Sequence, residues 1–148
     1  MAGKIEMTGY VLDTSVIIKW FSTHGEEDLE SALRLRDGLV SGNCTAVVPD
    51  LLFYELANAL RYNPNFNCDD AKDAVAAISD MGFAVRCADP ALMARAVEMA
   101  FAFNVTVYDT YFLALAESEG SAFVTADYRF FERVKKAGNI VRLDRLYR

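Results

Sequence analysis

The chain has 148 residues, 53% hydrophobic and 24% charged, with a net charge of −6, the make-up of one domain able to bury about 70% of the surface its unfolded form exposes. Cys44, Cys68 and Cys87 are widely spaced and lack a C-x-x-C pair, which excludes a disulfide framework or zinc knuckle and leaves small buried hydrophobes as the expectation. The acidic balance argues against indiscriminate polyanion binding, and no apolar run reaches the roughly 18 residues of a membrane span.

The opening Met1 to Met7 is too short and too polar for a signal peptide. A cytoplasmic, single domain over 1–148 is therefore expected, with 1–7 as a disordered leader. Charge is uneven along the chain. From Tyr128 to Arg148 seven basic residues stand against Glu132 and Asp144, a local charge of +5 that leaves −11 for residues 1–127. Such a tail suits phosphates, an acidic partner or the chain's own acidic body.

In chain order, the first strand is predicted at Thr8 to Leu12, ending at Asp13, and Thr14 to Phe21 reads as a short, largely buried helix. Glu26-Glu27-Asp28-Leu29-Glu30 opens a helix to Ser41, with acids in its first turn as the helix dipole favours, and Gly42 ends it. Thr45 to Val48 is a second strand. Pro49 then starts a helix through Glu55 to Leu60, broken by Asn63-Pro64-Asn65.

A helix from Asp69 to Met81 leads to a third strand at Phe83 to Arg86, and Asp89-Pro90 is an N-cap and first-turn signal for a helix to Phe103, closed by Asn104. Val105 to Tyr108 reads as a strand or a plain connection. Asp109 to Glu119 is helical, with Phe112, Leu115 and Ala116 on one face, and Gly120 stops it. Ala122 to Thr125 is a fourth strand, a helix follows with Phe130, Phe131 and Val134, and Asn139 to Leu143 offers an edge strand. This alternation predicts a mainly parallel sheet of four or five short strands covered by helices.

In such a sheet ligands bind beyond the carboxyl ends of the strands. Asp13 directly follows the first strand, Asp127 follows the fourth, Glu55 lies in the helix after the second, and Asp109 opens a helix of its own. Glu55 interrupts an apolar helix face between Leu52 and Ala59, and a charge there needs a partner. Taken singly, Asp13 and Asp109 also suit N-caps, Asp127 a turn, and Glu55 a salt bridge to Arg61. Taken together, four carboxylates sharing one edge of the sheet, with Asp13 and Asp109 half-buried among apolar neighbours, call for a cation, and the hard ions Mg²⁺ and Mn²⁺ prefer oxygen ligands. His24, the sole histidine, sits in a polar loop, and neither a P-loop nor a G-x-G-x-x-G occurs, so histidine bases and the simplest nucleotide sites lack material.

The segments Tyr10-Val11-Leu12-Asp13-Thr14-Ser15, Glu55-Leu56-Ala57-Asn58, Tyr108 to Ala116 and Phe123 to Phe130 together resemble the PIN-domain nucleases, most strongly the VapC-type toxins of toxin-antitoxin systems. The resemblance implies a three-layer α/β/α sandwich, Mg²⁺- or Mn²⁺-dependent cleavage of single-stranded or structured RNA, a homodimer and a VapB-type antitoxin partner. Asp13 and Asp109 match the family's principal metal ligands, Asp127 its third aspartate and Glu55 its helix glutamate. Thr14, Ser15, Asn58 and Thr125 match polar positions that orient ligands or water, and Arg129 matches a site that touches phosphate.

The expected function is thus an endoribonuclease, the toxin of a type II module. The alternatives are a housekeeping RNA-processing nuclease and a catalytically silent peptide-binding module that uses the acidic groove. A phosphatase of the haloacid dehalogenase type is disfavoured, because its second aspartate falls at Ser15.

Overall fold

The computed structural model describes residues 8–148, so the expected leader at 1–7 lies outside the described residues. The strands are β1 (Thr8–Leu12), β2 (Cys44–Pro49), β3 (Ala84–Arg86), β4 (Ala122–Thr125) and β5 (Ile140–Arg142). The helices are α1 (Thr14–Ile17, prolonged by a 3-10 turn over Ile18–Trp20), α2 (Leu29–Ser41), α3 (Leu51–Arg61), α4 (Cys68–Asp80), α5 (Pro90–Phe103), α6 (Val107–Glu119) and α7 (Tyr128–Val134). All pairings are parallel, in the order β3-β2-β1-β4-β5. Right-handed crossovers then place α1 to α4 on one face of the sheet and α5 to α7 on the other, which is the expected sandwich.

The core follows from which strands are central. Val11 and Leu12 of β1 and Phe123 and Val124 of β4 are fully enclosed, as continuous apolar runs in a doubly covered parallel sheet should be. On α3, Leu52, Leu56 and Leu60 recur every four residues and form its buried stripe. Phe123 stacks on Phe112 at 5.9 Å between ring centroids and meets the edge of Phe130 at 6.2 Å, tying β4 to α6 and α7. Phe123→Ala is therefore expected to cost about 3–5 kcal/mol, read as a lower denaturant midpoint at unchanged m-value.

Several expectations need correction. Helix α6 is not amphipathic with one apolar face: every residue from Thr110 to Ala116 is buried, because the helix is sandwiched between the sheet and α5. It also starts earlier than Asp109. Thr106 is its N-cap and accepts a hydrogen bond from the Asp109 amide at 3.2 Å, so Asp109 lies in the first turn and is not itself the cap. The β-like alternation of Val105 to Tyr108 comes from a helix entry in which Val105 and Val107 pack against the core while Thr106 and Tyr108 face out.

Helix α2 begins at Leu29 and not at Glu26, since the preceding acids are engaged in tertiary contacts. Glu26 accepts from the buried Lys19 ammonium at 2.7 Å, and Asp28, in a left-handed conformation with φ 59°, accepts from the Tyr128 hydroxyl at 2.7 Å. Pro49 ends β2 and does not open α3. Cys68 and Cys87 are exposed and only Cys44 is partly covered, so the cysteines are not the buried hydrophobes expected of them. Among the described residues no single helix is long and apolar enough to cross a membrane.

Candidate active site

The chain moves outward from β1 to β2 and β3, then returns to β4 on the opposite side of β1. The gap between the carboxyl ends of β1 and β4 is therefore the point where the winding direction reverses, and there the flanking helices diverge and leave a crevice. Asp13 stands at the end of β1, its amide bonded to the Val124 carbonyl of β4 at 3.0 Å. Asp127 caps α7 just beyond β4, its carboxylate accepting from the Phe130 amide at 3.1 Å.

Asp13 is the most enclosed of the four acids, with 9% of its surface exposed. Its Oδ2 accepts from the Ser15 hydroxyl at 2.7 Å and from the Thr125 hydroxyl at 2.8 Å. Those two hydroxyls are themselves oriented from behind: Ser15 accepts from the Ala126 amide and Thr125 from the Asp127 amide, each at 3.0 Å. A hydroxyl that accepts from a fixed amide must point its proton elsewhere, here at Asp13. The other oxygen, Oδ1, makes no hydrogen bond among the described residues, yet it is not one of the enclosed unsatisfied atoms, so it opens to the crevice.

Burial pushes the Asp13 carboxyl up to about 6; the Ser15 and Thr125 hydroxyls oppose this, and the charges of Asp109 and Asp127 add to it. Burial likewise lifts Glu55 to about 7, opposed by the Thr14 hydroxyl, which donates to its Oε1 at 2.9 Å, and reinforced by Asp13 and Asp109. Asp109 is raised by burial and by Asp127. Asp13, Glu55 and Asp109 thus each feel the charge of at least one other acid. Glu55 makes no ion pair with Arg61 or any other base among the described residues, which removes the plain salt-bridge account of that residue.

The donor set is all oxygen and carries a surplus of negative charge, the chemistry a hard divalent cation requires. In their present positions no three acids, histidines or cysteines among the described residues converge closely enough to grip an ion. The residues fit such a cation by chemistry and by shared location: Asp13 is enclosed at the strand end, and the half-buried Glu55 and Asp109 and the exposed Asp127 stand around it.

Of the other expected positions, Thr14, Ser15 and Thr125 all bond to these carboxylates. Asn58 is exposed and its side chain makes no hydrogen bond to them. Arg129 lines a cleft of about 500 Å³ together with Asp109, Asp127, Thr106 and Arg133. Thr106 and Arg133 were not among the expected site residues, although Arg133 lies four residues after Arg129 and so on the same side of α7. Part of the basic tail is spent locally: Arg142 is bonded to Asp144 at 2.8 and 2.9 Å, and Lys135 to Glu132 at 2.7 Å.

The Thr125 hydroxyl lowers the energy of ionised Asp13, so Thr125→Val should push that carboxyl further above 6. The acid limb of any pH–rate profile that needs ionised Asp13 is then expected to move to higher pH, with a rate loss of about 10–100-fold at neutral pH. An unshifted limb would mean that Thr125 does not tune Asp13.

An all-parallel α/β domain with clustered, mutually perturbed carboxylates at its switch point is the class that fold and site define. Within it, the chain belongs to the PIN domain family, whose model matches residues 10–137. Several solved structures share the fold. A FitAB complex bound to a DNA fragment has 15% identity and a TM-score of 0.70, covering 94% of this chain and 98% of its own. A Pyrobaculum aerophilum protein has 20% identity and a TM-score of 0.67 over 97% of this chain and 95% of its own. Mycobacterium tuberculosis VapC20, a sarcin-ricin loop cleaving toxin, has 16% identity and a TM-score of 0.67 over 88% and 95%. No curated protein matches the sequence.

Proposed function

We propose that this chain is a Mg²⁺- or Mn²⁺-dependent endoribonuclease, one catalytic domain over 1–148, and the cytoplasmic toxin of a type II toxin-antitoxin pair. The observation that carries the reading is the set of raised carboxyls Asp13, Glu55 and Asp109 around one crevice, pushed up by burial and by one another's charge and that of Asp127, in a chain of the PIN family. The toxin assignment draws support from the fold shared with VapC20 and with toxin-antitoxin complexes such as one from Klebsiella pneumoniae.

In this reading Asp13, Asp109 and Asp127 hold the metal, with Glu55 at its outer shell. When bound, the ion supplies positive charge against the phosphate and a water of lowered pKa. Ser15 and Thr125 keep the Asp13 carboxylate in a single orientation, and Thr14 does the same for Glu55. As the water oxygen bonds to phosphorus and the bond to the leaving oxygen breaks, Glu55 would accept the water's proton and the leaving oxygen would take one from solvent.

Exposed apolar side chains offer surfaces for the proposed partners. Met93, Val97 and Phe101 stand at four-residue intervals on the outside of α5, a face suited to a homodimer. An apolar groove between α3 and α4, lined by Ala57, Leu60, Phe66 and Val75, suits an amphipathic segment of an antitoxin.

The test is incubation of the purified protein with single-stranded and structured RNAs in Mg²⁺ or Mn²⁺, with and without EDTA. Metal-dependent, EDTA-sensitive cleavage is expected. Its absence, alongside retained binding of a basic peptide, would favour the silent binding module. Growth arrest on expression separates a toxin from a housekeeping nuclease.

A further inference from the structure

Beside the carboxylates lies a cleft of mixed charge. It is lined by Thr106 and Asp109 from the start of α6, and by Asp127, Arg129, Phe130 and Arg133 from α7 and its cap. Opposite charges sharing so small a space would ordinarily pair. Here neither arginine makes an ion pair with either aspartate, or with any other acid among the described residues. Arg133 is held back because its guanidinium donates to the Asn104 carbonyl at 3.0 Å, where Asn104 closes α5 in a left-handed conformation with φ 54°. Arg129 makes no side-chain hydrogen bond among the described residues and projects from the same side of α7, one turn away.

We propose that Arg133 joins Arg129, whose position the family resemblance already links to phosphate, to make this cleft a subsite for the backbone phosphate of the RNA adjoining the one cleaved. The proposal rests on the nuclease reading above. A chain of net charge −6 that draws a polyanion to an acidic crevice needs fixed cations beside it, and a metal neutralises only the cleavage point. Two guanidiniums held apart from the neighbouring acids keep their donors for an incoming anion, and their planar forks match phosphate oxygens. Arg133 binds without touching the scissile bond, so its loss weakens RNA binding and leaves the carboxylates in place.

The experiment measures binding of a short fluorescein-labelled single-stranded RNA by Asp13→Asn protein, in which cleavage is disabled, across a salt series. In that background Arg133→Gln is expected to weaken binding about tenfold and to lower the steepness of the salt dependence by about 0.7, the value of one phosphate contact on a single strand. Arg129→Gln should do likewise. It removes a side chain without internal bonds and so guards against an Arg133 variant that merely unfolds. Arg133→Lys should restore the salt dependence but only part of the affinity. If RNA binds and both glutamine variants keep the parental affinity and slope, the subsite is overturned while the nuclease reading stands. If the Asp13→Asn protein binds no RNA at any salt, both fail.

Discussion

Asp13→Asn is expected to reduce RNA cleavage by about 10³-fold while making the metal-free protein more stable at pH 8. The two effects have one cause. Asp13 is the most enclosed acid of the crevice, and burial raises its carboxyl to about 6, so holding it ionised at pH 8 costs on the order of 3 kcal/mol. Asparagine occupies the same space, can still accept from Ser15 and Thr125, and removes the charge. It also removes the anionic ligand on which the proposed metal site centres. Lost activity through unfolding would come with a lower melting temperature; loss through the proposed mechanism comes with a higher one. Parallel melting and cleavage assays on the same preparations separate these outcomes, and full activity in the variant would sink the mechanism.

The second large effect is a dependence of stability on pH that a divalent metal reverses. Asp13 and Glu55 have folded-state values of about 6 and about 7, above their ordinary values of 3.8 and 4.5, and Asp109 is raised too. A carboxyl raised on folding binds its proton more tightly in the native state, so its contribution is fully present below about pH 4 and is lost as pH rises through 6 and 7. The lowered carboxyls of the exposed Glu132 and the partly buried Asp144 act in the opposite sense, at lower pH and, for Glu132, against solvent screening. Metal-free protein should therefore melt at progressively lower temperature from pH 5 to pH 8. Mg²⁺ or Mn²⁺ at about 100 times its dissociation constant should return about 2.7 kcal/mol at pH 8, and far less at pH 5 where the ligands are protonated. A melting temperature indifferent to both pH and metal would count against a clustered acidic site.

Asp13, Glu55 and Asp127 were legible in the sequence because each breaks an apolar pattern at or just after a predicted strand. What brings them together was not, since parallel pairing is non-local. Nothing near Leu12 announces that its neighbour across the sheet is Val124, and it is this adjacency that lets Thr125 reach Asp13. Asp109 stands out in the sequence as the opening residue of a helix but lies inside the first turn of one, because Val105 to Tyr108 shows a strand-like alternation while Thr106 caps the helix. Acids such as Asp28, which look like first-turn residues of α2, are instead bound to a side chain 100 residues away. Arg133 was hidden within a run of basic residues, because only its tether to Asn104 distinguishes it from the rest of that tail.

The central claim, that these carboxylates form one metal site, is tested most directly by calorimetric titration of Mn²⁺ into wild-type and Asp13→Asn proteins at neutral pH. Saturable binding of one or two ions to the wild type, weakened at least about tenfold in the variant, is the predicted result. Wild-type protein that takes up no Mn²⁺, or a variant that binds it as tightly, would contradict the account.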